Sequence, residues 1–297
     1  MSTLPSPPLD TAKRCGVDRF LDSVDHLPPT PALLVKLIGL FRQPDRDVDE
    51  VVRLMGQDPA LTAEVLRRCN SSFIGDDQPV TEINEAVFRL GFYEVYRISV
   101  TLFGLQALPS AKVISGLDVE KLWQHSAYTA IVGGALSREL NESEGAAFTA
   151  GLLHDVGKIV FATAEGPRYA ELLEHHGSCG SGGYEAEKLA FGFNHGEVGA
   201  RLLDRWGVPD EVSVPVLCHH QLHSSQSYPR LAAIVNLANV VAHFLEDEAL
   251  EKPCALPAAS QAMELLELET EDLPRLLDLA RSDVKRLHSS LVAQPSC

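Results

Sequence analysis

Apolar residues recur at helical spacing along nearly the whole chain, and alternating apolar and β-branched runs bounded by hairpin turns are almost absent. That periodicity confines the chain to stacked amphipathic helices, so an all-α fold is expected. Proline, glycine and short polar residues mark the helix ends. From Pro31, the segment PALLVKLIGLF reads as a helix that stops near Gln43-Pro44. Asp47 and Glu50 form a capping-box pattern, and Asp58-Pro59 sets an N-cap before a first-turn proline. Asn70 is expected to tie the end of that helix to the next loop. Thr81 and Asn84 are candidate caps for TEINEAVFRLG, Gly91 its terminal glycine, and a helix over 92–108 closes at Pro109.

The expected architecture is a two-lobed helical bundle. A proline-rich disordered lead-in covers 1–19, an N-terminal lobe 20–115, a second lobe 116–250 and a helical tail 251–297. In the second lobe, Asp118 caps VEKLWQHSAYTAIVGGALSREL, and Asn194 with Glu197 caps HGEVGARLLDRWG, which Gly207 and Pro209 end. Trp123 and Trp206 read as core anchors.

Charge narrows the function. With 41 acidic against 25 basic side chains the net charge is −16, which repels phosphate backbones and anionic membranes; direct nucleic-acid and membrane partners are not expected. Six cysteines occur without a C-x-x-C pair, the start lacks a basic and apolar leader, and no apolar stretch is long enough to cross a bilayer; a reduced cytoplasmic protein is expected.

Four helical segments of the second lobe carry histidine: His125, His154 beside Asp155, His195, and the pair His219-His220. They are far enough apart for helices to turn back and bring them together. Neutral imidazoles with one carboxylate suit a first-row divalent ion such as Fe, Mn, Zn or Ni. Lys158 could neutralise a phosphate oxygen, or be a helix-end lysine. Asn236, Asn239 and His243 form one polar stripe that could line a ligand or cross-link the core. His223 suits an exposed loop, and His175, His176 and Cys179 a solvated glycine-serine loop without a phosphate-cradling ending. Cys218 is a buried thiol or a soft ligand.

The segment GLLHDVGK at 151–158 resembles the signature of the HD superfamily of metal-dependent phosphohydrolases, and the histidine order is similar to that of its cyclic-di-GMP phosphodiesterase branch. LPPTP at 27–31, QDPALTAEVLRRCNSS at 57–72 and INEAVFRLGF at 83–92 are similar to the HDOD family, the HD-related output domain. This resemblance implies a bacterial regulatory output module with two-component or cyclic-di-GMP-related signalling partners, in most members without hydrolase activity.

It also implies metal ligands at His125, His154, Asp155, His195, His219 and His220. Were the chain an enzyme, Asp155 and Lys158 would be its catalytic groups and a cyclic dinucleotide or nucleotide its substrate. The chain departs from the pattern at Asn239, where an Asp would close the ligand set, and at Gln221, where a Glu is usual; Tyr228-Pro229 is a remnant of Gly-Tyr-Pro. With Asp155 as the one carboxylate expected in the pocket, the negative charge is too small for two ions, so one ion or none is expected. An ion-free scaffold is the third reading.

Overall fold

A computed structural model describes residues 11–24, 32–41, 48–56, 59–72, 80–107, 113–176, 181–223, 227–246 and 256–291. Six helices come first: α1 (Thr11–Asp22), α2 (Ala32–Phe41), α3 (Val48–Met55), α4 (Pro59–Ser72), α5 (Ile83–Leu90) and α6 (Phe92–Ala107). A two-stranded antiparallel hairpin, β1 (Val113–Ile114) and β2 (Leu117–Asp118), pairs Ile114 with Leu117. Then follow α7 (Val119–Glu139), α8 (Glu144–Leu153), α9 (Val156–Ala164), α10 (Gly166–His176), α11 (Ser181–Phe191), α12 (His195–Trp206), α13 (Asp210–Cys218) and α14 (Pro229–Glu246). The last two helices are α15 (Leu256–Leu266) and α16 (Leu273–Leu291). The fold is all-α, as the periodicity requires, and no described helix is long and apolar enough to cross a membrane.

The central pair is α7 and α8, against which α14 packs. Seven residues of α7 from Thr129 to Ala135 are buried in sequence, because this helix is surrounded rather than half-solvated. The buried Trp123 and Trp206 are core residues, as expected. The tail belongs to the same body: α15 packs on α14 and α16 on α7.

Local chemistry explains several helix starts. The Asp118 carboxylate accepts from the Lys121 backbone N–H, and Asn194 and Glu197 make the reciprocal capping box. Gly207 closes α12 in the left-handed conformation, at φ 77°. Asn70 exchanges two hydrogen bonds with the backbone of Val80, tying α4 to the segment beyond. Asp47, Asp58, Pro31 and Cys179 lie outside the described residues.

Three expectations are corrected. The lead-in expected over 1–19 contains α1 from Thr11, because Phe20 and Val17 pack into the core and Asp18 is clamped by Arg201 and Arg205 of α12. The N-cap of α5 is Glu82, without a side-chain cap; Thr81 precedes it and Asn84 is already inside the helix. His175 and His176 form the exposed last turn of α10 instead of a loop, and Ser181 to Gly183 are inside α11, since the flanking amphipathic segments extend into the glycine-serine stretch.

Candidate metal centre

Two helix starts meet inside the helical body. His195 is the first residue of α12, and Asp155 is the N-cap of α9, one residue after His154 ends α8. They can meet because position 157 is glycine: a Cβ on Gly157 would lie 2.8 Å from the carbonyl carbon of His195 and 2.9 Å from its Cα. His219 and His220 follow the last turn of α13, and His125 faces inward from α7. Packing of α7 on α8, of α12 on α9 and α13, and of α13 on α8 brings all six sequence-predicted ligand residues into one cluster. His154, Asp155, His195 and His219 are at most 2% exposed.

Hydrogen bonds fix the protons of three rings. His154 Nδ1 is 2.7 Å from the Gly151 carbonyl oxygen and His219 Nδ1 is 2.6 Å from that of Val216. A carbonyl only accepts, so both Nδ1 atoms carry hydrogen. Burial pushes His154 well below the usual histidine range and His219 down to about 3, so both rings are neutral and their Nε2 atoms carry lone pairs. His195 donates Nδ1–H to Glu187 Oε2 at 2.7 Å, which turns its Nε2 toward the same space.

The Nε2 atoms surround Asp155. His195 Nε2 lies 3.3 Å from Asp155 Oδ1 and His154 Nε2 lies 3.4 Å from Oδ2. His195 Nε2 is also 3.3 Å from His219 Nε2 and 3.0 Å from His220 Nε2. A tetrahedral ion with bonds of about 2.0–2.1 Å holds its ligand atoms about 3.3–3.4 Å apart. Two inner trios bring one ligand atom each within 4.8 Å of one another, His195 with His219 and His220, and His125 with His154 and Asp155. His154 Nε2 and Asp155 Oδ1 are buried without a hydrogen-bond partner. Lone pairs facing a carboxylate repel unless a cation lies between them, so the residues present fit a divalent ion.

Glu187 of α11 was not found from the sequence. It is 1% exposed, and its carboxylate accepts from the His195 ring, from the His195 backbone N–H at 2.7 Å and from the Tyr169 hydroxyl at 2.9 Å. The available signal was a glutamate eight residues before His195, on a helix obscured by the glycine-serine stretch. Glu246 was also missed. Its Oε1 and Oε2 lie 3.1 and 3.2 Å from His125 Nδ1, while Asn239 Oδ1 lies 2.9 Å from His125 Nε2. Burial opposes the Glu246 charge, but hydrogen bonds from His125 and His243 outweigh it and bring the carboxyl down to about 2.

The expected charge count is therefore corrected: Asp155, Glu187 and Glu246 are three carboxylates around the cluster instead of one, because two of them come from helices whose facing could not be read from spacing. Burial opposes the charge of Asp155 too, but the Lys158 ammonium beside it helps hold its carboxyl well below the usual range.

The other candidates separate cleanly. Lys158 Nζ donates to Asp155 Oδ2 at 2.7 Å, so it is a buried member of the centre. Asn236 donates to the His219 carbonyl oxygen at 2.7 Å and serves to position that turn. His223 and Gln221 are exposed. Burial pushes the Cys218 thiol up to about 11, which keeps it a protonated core residue. A cavity of about 260 Å³ opens beside the cluster, with Lys158, Asp155, His125, His243 and Glu246 on its wall.

An all-helical body with a His-Asp pair at the junction of two helices, and histidines converging on it from three others, defines an HD-type domain. The HDOD domain family matches residues 27–222, and the chain belongs to that family. An uncharacterised protein of Treponema pallidum is 27% identical over 232 residues, covering 76% of this chain and 44% of its own. Ribonuclease Y of Acholeplasma laidlawii is 27% identical over 194 residues, 59% of this chain and 30% of its own. The chain thus spans less than half the length of either relative. Among solved structures, a signal transduction protein of Marinobacter aquaeolei, so named by presumption, aligns with TM-score 0.75 at 23% identity, covering 96% of this chain and 66% of its own. An HDOD domain protein of unknown function from Geobacter sulfurreducens aligns with TM-score 0.70 at 22% identity, covering 95% and 97%. A presumed phosphohydrolase of Shewanella amazonensis aligns with TM-score 0.68 at 23% identity, covering 92% and 95%. These three likenesses show the fold.

Proposed function

We propose that the chain is a regulatory output domain that acts on signalling proteins through its helical surface, and that its histidine cluster holds one divalent transition ion without hydrolysing phosphoesters. The ion would be held by His195, His219 and His220, whose ligand atoms lie within 4.8 Å of one another, with Asp155 Oδ1 3.3 Å from His195 Nε2 as the carboxylate. Fe, Mn, Zn and Ni all suit this donor set. The carrying observation is the closure of His125: Asn239 Oδ1 is 2.9 Å from its Nε2, so a neutral amide sits where a carboxylate would draw a second ion into the cluster. The ion would then fix the relative placement of α9, α12 and α13 and stiffen the surface these helices offer to a partner.

A second reading is a metal-dependent phosphohydrolase. It is favoured by Lys158, which borders the cavity, and by the two helix N-termini at Asp155 and His195, whose positive ends suit a phosphate. In that reading a bound metal would supply an activated water, while Lys158 would orient a phosphate oxygen.

Elemental analysis of untagged protein, followed by assays on cyclic dinucleotides and nucleotides with added manganese or iron, separates the two. About one tightly held ion per chain and no turnover supports the regulatory reading. Turnover lost in both His154→Ala and Asp155→Ala establishes the hydrolase, and protein that takes up no ion removes the bound ion and leaves the ion-free scaffold.

A further inference from the structure

Asn239, His243 and Glu246 lie at i, i+4 and i+7 on α14, one polar face that runs from the buried cluster to the mouth of the cavity. At the inner end, Asn239 engages Nε2 of His125. At the outer end, His125 Nδ1 faces Glu246 at 3.1 Å, and His243 Nδ1 is 3.5 Å from the other oxygen of that carboxylate. His125, His243 and Glu246 each bring a ligand atom to within 4.8 Å of the others.

We propose that these three side chains form a second, outer site for a divalent transition ion, separate from the cluster around Asp155. The proposal rests on the preceding reading in one respect: the inner ion is held by His195, His219 and His220, while His125, which also stands in a trio with His154 and Asp155, turns its Nδ1 outward to Glu246. Two imidazoles and one carboxylate suit zinc, cobalt or nickel, and the 3.1 and 3.5 Å separations bracket the ligand spacing of a tetrahedral ion with bonds of about 2.0–2.1 Å.

The rings of His125 and His243 are stacked, with centroids 4.2 Å apart and planes 19° from parallel. An ion lies in the plane of an imidazole that binds it, so His243 must turn about its side-chain bonds on loading. It has room to do so, being 28% exposed at the cavity mouth. The cavity also admits water to complete the coordination.

Charge is distributed accordingly. Glu246 brings the outer ion its own carboxylate, while Asp155 serves the inner one and is paired with Lys158 on the other side. Asp118, the remaining acid on the cavity wall, is occupied in capping α7. The carboxylate partner of His125 has in effect been placed two helical turns outward, at 246 in place of 239.

The test uses the full chain without a tag, stripped with chelator and titrated with cobalt(II), whose visible absorption reports binding and coordination number. The expected result is two binding events per chain. Glu246→Gln and His243→Ala should each weaken one event at least ten-fold and leave the other, whereas His219→Ala should weaken the event that those two leave intact. Circular dichroism confirms that each variant is folded. A single event in the parent protein that Glu246→Gln leaves unchanged, or two events indifferent to both outer variants, overturns the outer site. Loss of the His219-dependent event alone from the parent protein removes the inner-ion reading and leaves the outer site standing.

Discussion

The Glu187 carboxylate is 2.7 Å from both the ring Nδ1 and the backbone nitrogen of His195, so one side chain sets the tautomer of the ring and anchors the start of the helix that carries it. A carboxylate behind a metal-binding imidazole raises its basicity and fixes its direction, and losing such a partner typically costs 10–100-fold in metal affinity. Glu187→Gln is therefore expected to weaken uptake at the inner cluster by about that factor. Glu187→Ala should also lower thermal stability, because two His195 donors and the Tyr169 hydroxyl lose a buried acceptor. Competition with a chromophoric chelator measures the first effect and a melting curve the second; unchanged affinity in both variants would remove Glu187 from the site.

Gly157→Ala should damage the same site from the opposite side. The added Cβ would press on backbone atoms of His195, at 2.8 and 2.9 Å, and backbone at a helix start cannot step aside as a side-chain tip can. A loss of at least about 2 kcal/mol is expected by denaturant titration, with weaker metal uptake. At Gly16 or Gly39 no atom lies within 4 Å of an added Cβ, so alanine there is the control and should be close to neutral or better.

How much of this was legible follows from what spacing encodes. Helix periodicity and caps depend on neighbours three or four residues apart, so α7, α12 and their caps Asp118 and Asn194 could be read directly. The histidine series could be read as well, since residues of distinctive chemistry recur at helix ends or, for His125, on one helix face. Glu187 and Glu246 could not. A glutamate on an amphipathic helix is ordinarily solvated, and only the tertiary turn of α11 buries Glu187 against His195, while that of α14 brings the still exposed Glu246 to His125. The hairpin at Val113–Asp118 is too short for a two-residue period to show, and α1 was hidden because its core contacts are with distant α12.

Acid should unfold the chelator-treated protein early. Burial holds His219 down to about 3, and His154 and His220 well below the usual range, so unfolding near pH 5 takes up protons on all three rings. Stability is then fully present above about 6.5, the unfolded value, and falls as the pH drops toward the folded ones. Each histidine contributes a slope of up to about 1.4 kcal/mol per pH unit in that window. Glu246, brought down to about 2, acts with the same sign below its ordinary value near 4.5. Denaturant midpoints at pH 7.5, 6 and 5 test this, and midpoints that stay level would show that the cluster is already charged in the folded protein.

Asn239→Asp probes the closure of His125 most directly, because it changes charge with almost no change in shape. The new carboxylate would lie where Asn239 Oδ1 now approaches His125 Nε2, at 2.9 Å, in a position only 7% exposed. Without metal, a second buried charge near Asp155 costs stability, so the variant in chelator should melt below the parent. With metal the order should reverse: a carboxylate is a stronger ligand for a divalent ion than an amide, and affinity at least about ten-fold tighter is expected. Ligand linkage converts that gain into a larger rise in melting temperature on loading than the parent shows. If the substitution lowers stability in chelator but leaves metal affinity unchanged, the amide at 239 is not what limits the centre, and the single-ion reading has to rest on the Asp155 cluster alone.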